Sequence, residues 1–403
     1  MPMRINYLSR RYQAGIDLGS SQLSCWLGQS DDTHPVTLLG SGQIASRGLW
    51  GGQITDVRAL EESIVRILYD TEQQARAQVR QATLTLNGSF FRFERCLLKT
   101  TLPHGIVTDA DVHRMLSQLH HPDYHCAQII PLEFRVDQQE NIRDPRGMVG
   151  QNMTGHFHGV WMNKGRFDTV ASCLKRCQVH IQNILFSGCS SALSCLSSDE
   201  RELGTMLIDW GASTTSASIF LNGLFVDQIT LPLGGQTITE DIAKGFETSI
   251  AHAERLKILH GAALVTQSDH HEAVPVLPIG QWDNEFSNPI PRSALIRLVQ
   301  IRCEEILLSL KKQMDTCPYA RSIQRVVLTG GGGQLPGLRE LVQRFLNRSV
   351  RLARPIAPKN APRHSTDLSG VIGAMMHHGM PPDSLLVAPK KDFHFFSWLR
   401  KKM

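Results

Sequence analysis

Two stretches of the chain share one grammar. Ala14 to Gly28, AGIDLGSSQLSCWLG, and Gly204 to Asn222, GTMLIDWGASTTSASIFLN, each run from a strand-like segment through an Asp-x-Gly turn into a second strand. A chain that makes this hairpin at Asp17 and again at Asp209 is an internal quasi-repeat, and a third glycine-rich turn, Gly330 to Gly333, follows the strand-like RVVLTG. The physical use of such turns is phosphate binding. Glycine lets the backbone come close, and successive N–H groups point at an anion. A carboxylate at the strand end holds a divalent ion through water, as magnesium prefers, which makes Asp17 and Asp209 the metal candidates. Met singly, an Asp-Gly hairpin is more often only a turn. Two of them, with the third glycine-rich turn, make opposed phosphate loops the sharper reading.

Other site classes find no support. There is no GxxxxGK[ST] loop, no GxGxxG after a strand and no GxSxG elbow. The histidine pairs His120–His121, His270–His271 and His377–His378 lack HExxH spacing, and adjacent side chains point apart. Nine scattered cysteines, an odd number with no CxxC pair, fit reduced thiols in a cytosolic protein better than a disulfide framework. No run of eighteen apolar residues occurs, and MPMRINYLSRRYQ has no apolar stretch of the secretory kind. At 403 residues the chain has room for two domains or more.

The pattern between the hairpins is mixed. Leu60, Ile64, Ile67 and Leu68 fall on one helical face, and QATLTLNGSFFRFERCLLKTTL alternates like strands. A helix is expected over Ala110 to His120 behind Thr108 as N-cap, and another over Asp168 to Cys177. Strands return in IIPLEFRVD and MTGHFHGVWM, and VHIQNILFSG reads as a strand into a turn. Further helices are expected over Thr237–Ile250, His252–His260, Ser293–Met314 and Gly370–His378, with a proline-rich loop over Ala273–Pro291.

Several segments together resemble the actin/Hsp70/sugar-kinase superfamily and, more narrowly, the FtsA family of bacterial cell-division proteins. They are IDLGSSQLSCWLG, SRGLWGGQITD, IIPLEFRVDQQENIRDPRGMVG, DERELGTMLIDWG, LPLGGQTITEDIA, HAERLKILHG, VVLTGGGGQLPGL and the terminal SWLRKKM. The resemblance implies an α/β fold: a two-domain actin-like (ribonuclease H-like) body with an inserted α+β subdomain in domain one and a C-terminal amphipathic helix. Residues 1–80 and 167–203 would form subdomain 1A, 81–166 the insert, 204–235 and 323–378 subdomain 2A, 236–322 subdomain 2B, 379–389 a linker and 390–403 the helix. It further implies ATP or ADP with magnesium in a cleft. Asp17, Gly19, Ser20, Ser21 and Gln22 would form the first phosphate loop, and Asp209, Gly211, Ser213 and Thr214 the second, with Gly234 and Gly235 beside it. Glu254 and Lys257, three apart on one helical face, would meet the ribose and adenine, and Gly331, Gly332 and Gly333 would close over the adenosine.

The sequence departs from the family pattern at points that matter. Where relatives read DxGGGTTD, Ala212 and Ser213 stand in place of glycines and Ser216 in place of an acid. Gln22 stands where many relatives carry lysine, and LFSGCSSALSCL lacks the glutamate that orients water in hydrolysing relatives. Nucleotide binding with weak or absent hydrolysis is the expectation.

The end of the chain, FHFFSWLRKKM, leaves aromatics among basic side chains. Lys390, Lys391, Arg400, Lys401 and Lys402, against Asp392, hold nearly all of the formal net charge of +5, so the near-neutral body is not the footprint of a nucleic-acid binder. On a helix Phe393, Phe396, Leu399 and Met403 share a face, with Phe395 and Trp398 beside it, the signature of an interfacial helix on an anionic membrane. The alternative is a frayed helix packed back on the body, against which the preceding MPPDSLLVAPKKD reads as a spacer. By the resemblance the partners are a further copy of the chain in a filament, downstream membrane division proteins, and the C-terminal peptide of the tubulin-like FtsZ at subdomain 2B. There Arg292, Arg297 and Arg302 offer positive charge, or simply a solvated basic face. The implied place is the cytoplasmic face of the bacterial inner membrane, held peripherally. A metabolic kinase or a pilus-machine scaffold on the same fold are the competing functions, and neither gains from such a tail.

Overall fold

The computed structural model describes residues 11–30, 36–50, 53–280, 288–356, 358–361 and 365–377. The expected linker and membrane helix lie outside them. The chain divides into two compact units, one spanning 1–90 and 169–380, the other holding 91–168.

In the first unit β1 (Arg11–Leu18), β2 (Gln22–Ser30) and β3 (Thr37–Ala45) form an antiparallel meander, followed by a two-residue ladder of β4 (Leu49–Trp50) and β5 (Gln53–Ile54). Helix α1 (Val57–Ala75) starts where the Asp56 carboxylate accepts from the Arg58 and Ala59 amides, and ends at Arg76 in the left-handed region. Its buried face is the one the spacing predicts: Leu60, Ile64, Ile67 and Leu68. That face lies on β3 so closely that a Cβ at Gly40 or Gly42 would sit 2.3 Å from the Thr71 or Ile67 carbonyl. Strand β6 (Gln81–Leu86) then pairs parallel to β1. The boundary expected at Gln81 is therefore corrected: β6 belongs to the first sheet, and the second unit begins at Phe91.

The second unit is an antiparallel sheet of β7 (Phe91–Thr101), β8 (Tyr124–Val136), β9 (Gln139–Ile142) and β10 (Asn152–Asn163), in the order β7-β10-β8-β9. Helix α2 (Asp109–Leu116) is closed by a capping box, in which Thr108 Oγ1 accepts from the Asp111 amide and Asp111 Oδ2 accepts from the Thr108 amide. It stops short of the His120 expected from the sequence. The core gathers Val107, Met115, Ile129, Phe134, Val136, Met153 and Phe157, with Phe134 and Phe157 edge to face at 5.6 Å. Replacing Thr108 by alanine removes one cap bond, so this unit is expected to lose about 1 kcal/mol in a denaturant titration. An unchanged midpoint would show that the box adds nothing to packing.

Helix α3 (Lys164–Arg176) leads back to β11 (His180–Phe186), parallel to β6. The sequence suggests a turn here. Instead α4 (Ser187–Cys195) starts at once, every residue of it buried, followed by the short α5 (Ser198–Leu203). The second hairpin is β12 (Thr205–Trp210) and β13 (Thr215–Leu221), continued by β14 (Leu224–Leu231). Helices α6 (Gly235–Gly245) and α7 (Ile250–His260) are separated by a turn, not continuous to Ile250 as expected. The expected proline-rich loop carries a small ladder of β15 (Ala273–Val276) and β16 (Asn288–Pro291). Then come α8 (Arg292–Thr316), β17 (Arg325–Thr329), α9 (Leu338–Leu346), β18 (Ser349–Leu352) and α10 (Ser369–Met376).

The repeat legible in the hairpins extends to whole sheets. The first has the order β3-β2-β1-β6-β11 and the second β14-β13-β12-β17-β18, each three antiparallel strands with two parallel ones added. Helices α4 and α10 cross between the hairpins at contact distance. Ser190 Oγ donates to the Gly370 carbonyl at 2.6 Å and Ser194 Oγ to the Ser369 carbonyl at 2.8 Å, while Gly373 leaves no room for a Cβ against the Ser190 carbonyl.

Candidate functional site

The two hairpin turns, the glycine turn after β17 and the start of α10 surround one cavity of about 540 Å³. Asp17 lies near the end of β1 opposite Ser24, and Asp209 near the end of β12 opposite Ser216, so the two ladders fix both carboxyls near strand ends. Each turn is tight for a backbone reason. Gly211 donates its amide to the Thr214 carbonyl at 2.9 Å, and a Cβ at Gly19 would stand 2.7 Å from the Gln22 carbonyl. Gly330, at φ +85°, lies against Asp209 Oδ1 and the Trp210 carbonyl, where any Cβ would be 2.5 Å from both.

Most of the residues expected at the site line this cavity: Asp17, Gly19, Ser20, Ser21 and Gln22; Asp209, Gly211, Ser213 and Thr214; Gly235, Glu254 and Lys257; Gly331 and Gly332. Gly234 and Gly333 are corrections. Gly234 sits behind the second turn, where a Cβ would meet the Gly211 and Ala212 carbonyls at 2.6 Å, and Gly333 is buried against Leu328. Their absent side chains let backbones pack and do not face the cavity. The first α6 amides are committed as well, Gly235 to the Gly211 carbonyl and Gln236 to the Ala212 carbonyl, so this helix end braces the loop.

The sequence reading missed Asp367. It follows β18 by a loop, enters the cavity wall beside Gly370, and accepts from Gln22 Nε2 at 2.9 Å and Gln43 Nε2 at 3.4 Å. Gln22, expected in the first phosphate loop, thus holds a carboxylate in place. Burial, then Asp209, then Asp367 push the Asp17 carboxyl up to about 8. Burial raises Asp209 to about 6, against a hydrogen bond from the Ser187 hydroxyl at 3.3 Å. Nearby, the buried Oδ1 of Asn87, another cavity residue, has no hydrogen-bond partner. Crowded carboxylates and an orphaned amide oxygen are a hard-cation donor set, and they fit magnesium. Among the described residues no group of three His, Cys, Asp or Glu could hold a metal, so further ligands would come from water and phosphate.

On the α7 side Lys257 is nearly sealed. Its Nζ donates to the Gly235 carbonyl at 2.9 Å, Thr239 Oγ1 at 2.8 Å and Glu254 Oε2 at 2.6 Å. All three protons are used, so Lys257 holds Glu254 and α6 in place. The expected direct contact of Lys257 with adenine has no proton left to make it. Ile258 stands exposed at the cavity edge, with Leu335 and Pro336 also in its lining.

The arginines expected at a partner surface are scattered in role. Arg292 bonds Glu272 at 2.8 Å, Asp269 at 3.2 Å and the His260 carbonyl at 3.0 Å. Arg302 pairs with Asp241 and, at 2.8 Å, with Glu305. Arg297 is exposed and makes no ion pair among the described residues.

Two sheets of one topology around a cleft, with an antiparallel insert unit, define an actin-like protein. Solved structures agree on the fold. The PilM-PilN type IV pilus biogenesis complex superposes at TM-score 0.66 with 15% identity, covering 92% of this chain and 99% of that one. MreB5 of Spiroplasma citri bound to ADP gives 0.58 with 12% identity, covering 92% and 96%. A family model described as "Cell division protein FtsA" matches residues 206–369, and an SHS2 domain inserted in FtsA matches 88–161. The cell division protein FtsA of Rhizobium meliloti (strain 1021) is 30% identical over 381 residues, 90% of this chain and 86% of that protein. The chain belongs to the FtsA family of cell division proteins.

Proposed function

We propose that this cell-division protein binds ATP or ADP with magnesium in the cleft, assembles with further copies of itself on the inner face of the membrane, and tethers FtsZ filaments there. The observation that carries the nucleotide reading is the convergence of two half-buried strand-end carboxylates, Asp17 and Asp209, on one cavity. Its volume, about 540 Å³, is of nucleotide size. Asp17 and Asp209 would hold magnesium through water, and the metal would neutralise phosphate charge. The amides of the two hairpin turns would face the phosphates. Glu254 accepts twice on Oε2, from Thr239 and Lys257, which leaves Oε1 for the ribose hydroxyls. The MreB5 relative in fold, crystallised with ADP, supports the same use of the cleft. Ser187–Cys195 supplies no acid to orient water, which favours a ligand that is held over one that is rapidly turned over.

For the FtsZ peptide, Arg297 is the arginine best placed to meet acidic side chains, because Arg292 and Arg302 would first have to leave their ion pairs. Ile301, one turn along α8, is 53% exposed and adds apolar surface. Glu254→Ala is expected to weaken MgADP binding by roughly tenfold or more in a calorimetric titration, the size of one hydrogen bond to a charged group. An unaltered affinity would remove Glu254 from the ribose site. Absence of binding by the wild-type chain would remove the nucleotide reading altogether.

A further inference from the structure

Helix α8 runs for 25 residues and buries one face through Cys303, Leu307, Leu310 and Met314, which fixes what its opposite face presents. Leu308 stands 61% exposed on that outer face. Two acids, Glu304 and Glu305, lie one turn before it, and two lysines, Lys311 and Lys312, one turn after. Within one helix these opposite charges cannot meet, because seven residues rise about 10 Å and only side chains three or four apart face each other. Glu304 accepts from Gln300 at 2.8 Å and Glu305 from Arg302 at 2.8 Å. Lys311 and Lys312 are exposed and make no ion pair among the described residues. Leu308 and the lysines beyond it thus find no complement on their own helix.

We propose that this face of α8 docks on the same face of a second copy of the chain, antiparallel, across a two-fold axis at Leu308. The contact rests on the self-assembly proposed above and gives it a surface. Rotation about such an axis sets a residue before Leu308 level with the residue equally far after it on the other helix. Leu308 then meets Leu308 of the second copy, and Glu304 and Glu305 come level with the second copy's Lys312 and Lys311. The same pairs repeat on the other side of the axis, so every acid of the stripe faces a lysine. A parallel pairing would set acid beside acid and lysine beside lysine. Antiparallel packing also opposes the two helix dipoles. Arg297 falls level with residues past Thr316, where the second helix has ended, and stays open to the peptide proposed above. One helix pair covers less than the about 1,200 Å² of a stable interface, so the contact is weak between two chains and adds up along an assembly.

The test is disulfide capture in the full chain with copper phenanthroline, which takes two electrons and two protons from a facing pair of thiols. Leu308→Cys should give a covalent dimer, because helices packed at about 8–10 Å bring the two Cα atoms within the reach of a disulfide. Arg297→Cys is the control. Its two copies would lie about 33 Å apart and should give no more dimer than the wild type, whose native cysteines set the background. In the Leu308→Cys chain, Glu304→Lys with Glu305→Lys, or Lys311→Glu with Lys312→Glu, should each cut the dimer yield about fivefold or more at low salt. Combining all four changes should restore the yield, and so should mixing the two charge-reversed chains. A yield no higher for Leu308→Cys than for Arg297→Cys overturns the contact, as does a yield indifferent to the reversals or not restored by combining them. In each of these cases sedimentation of the same chain as a polymer leaves self-assembly standing. A chain that yields no dimer and stays monomeric at every concentration overturns both.

Discussion

Without nucleotide and in EDTA, Asp17→Asn is expected to melt above the wild type at pH 8 and level with it near pH 4. The reason is the crowding of carboxyls at the cavity floor. Asp17 has its pKa raised from 3.8 to about 8, chiefly by burial and then by Asp209 and Asp367. Between those values the folded chain holds a proton that the unfolded chain releases. The associated stability is complete below about pH 4 and drains away as pH rises to about 8. One pKa unit corresponds to about 1.4 kcal/mol, and Asp17 is partly open to solvent, so about 2–4 kcal/mol is at stake at pH 8. At roughly 2.1 cal/mol/K of unfolding entropy per residue, that is ~2–5 °C for a chain of this length. Asparagine carries no proton to lose and escapes the penalty. With saturating magnesium and ATP the order should reverse under the proposed function, because the wild type would gain ligand-linked stability and the variant would lack a carboxylate proposed to hold the metal. Asp209→Asn should behave likewise over a narrower window, ending near pH 6. The crossing of the two melting curves is the diagnostic. A variant less stable than wild type at pH 8 in EDTA would mean that the carboxyls are not in conflict.

The sequence carried the repeat well, because a strand–turn–strand signal is local. Period-two alternation, an Asp at the strand end and a glycine in the turn are contained within a single short stretch, Ala14–Gly28 or Gly204–Asn222, and both hairpins form as read. Helix α1 was legible for the same reason, since its apolar face recurs at helical spacing and faces one sheet. Helix α4 was not, because it is buried on every side and built from Ser, Cys, Gly, Ala and Leu, so no polar face marks its period. The β15–β16 ladder was hidden by its prolines, which sit in a short two-stranded ribbon that does not need every amide. The site was legible where its residues sit in the hairpins. It was not where tertiary structure supplies the partner, as with Asp367, which meets Gln22 from 345 positions away. Glycines invite over-reading: in LPLGGQ and TGGGG some spare a clash with another backbone and others open onto the cavity, and composition does not distinguish them. Arginines invite it too, since Arg292 and Arg302 look free in sequence and are held by acids on neighbouring elements.

Removal of residues 390–403 is expected to abolish co-sedimentation with anionic vesicles while leaving nucleotide affinity unchanged. No helix among the described residues is long and apolar enough to cross a membrane. The physical case for the tail is in its residues. Each Phe or Leu buried in the interface contributes about 1.5–3 kcal/mol, and each of Arg400, Lys401 and Lys402 adds about 1 kcal/mol near an anionic leaflet. Ordering the segment would cost about 1–2 kcal/mol per residue, a total of similar size, so one tail would hold weakly and let go. Several tails on one assembly raise the local concentration of the rest and hold firmly. Pelleting should therefore rise steeply with protein concentration, fall in high salt as the basic residues are screened, and fail on zwitterionic vesicles. Replacing Phe393, Phe396 and Leu399 by serine should imitate the deletion with the charge retained, and replacing Arg400, Lys401 and Lys402 by glutamine should weaken binding at low salt. If the truncated chain still pellets with anionic lipid, the attachment lies in the body and the tail must be given another role.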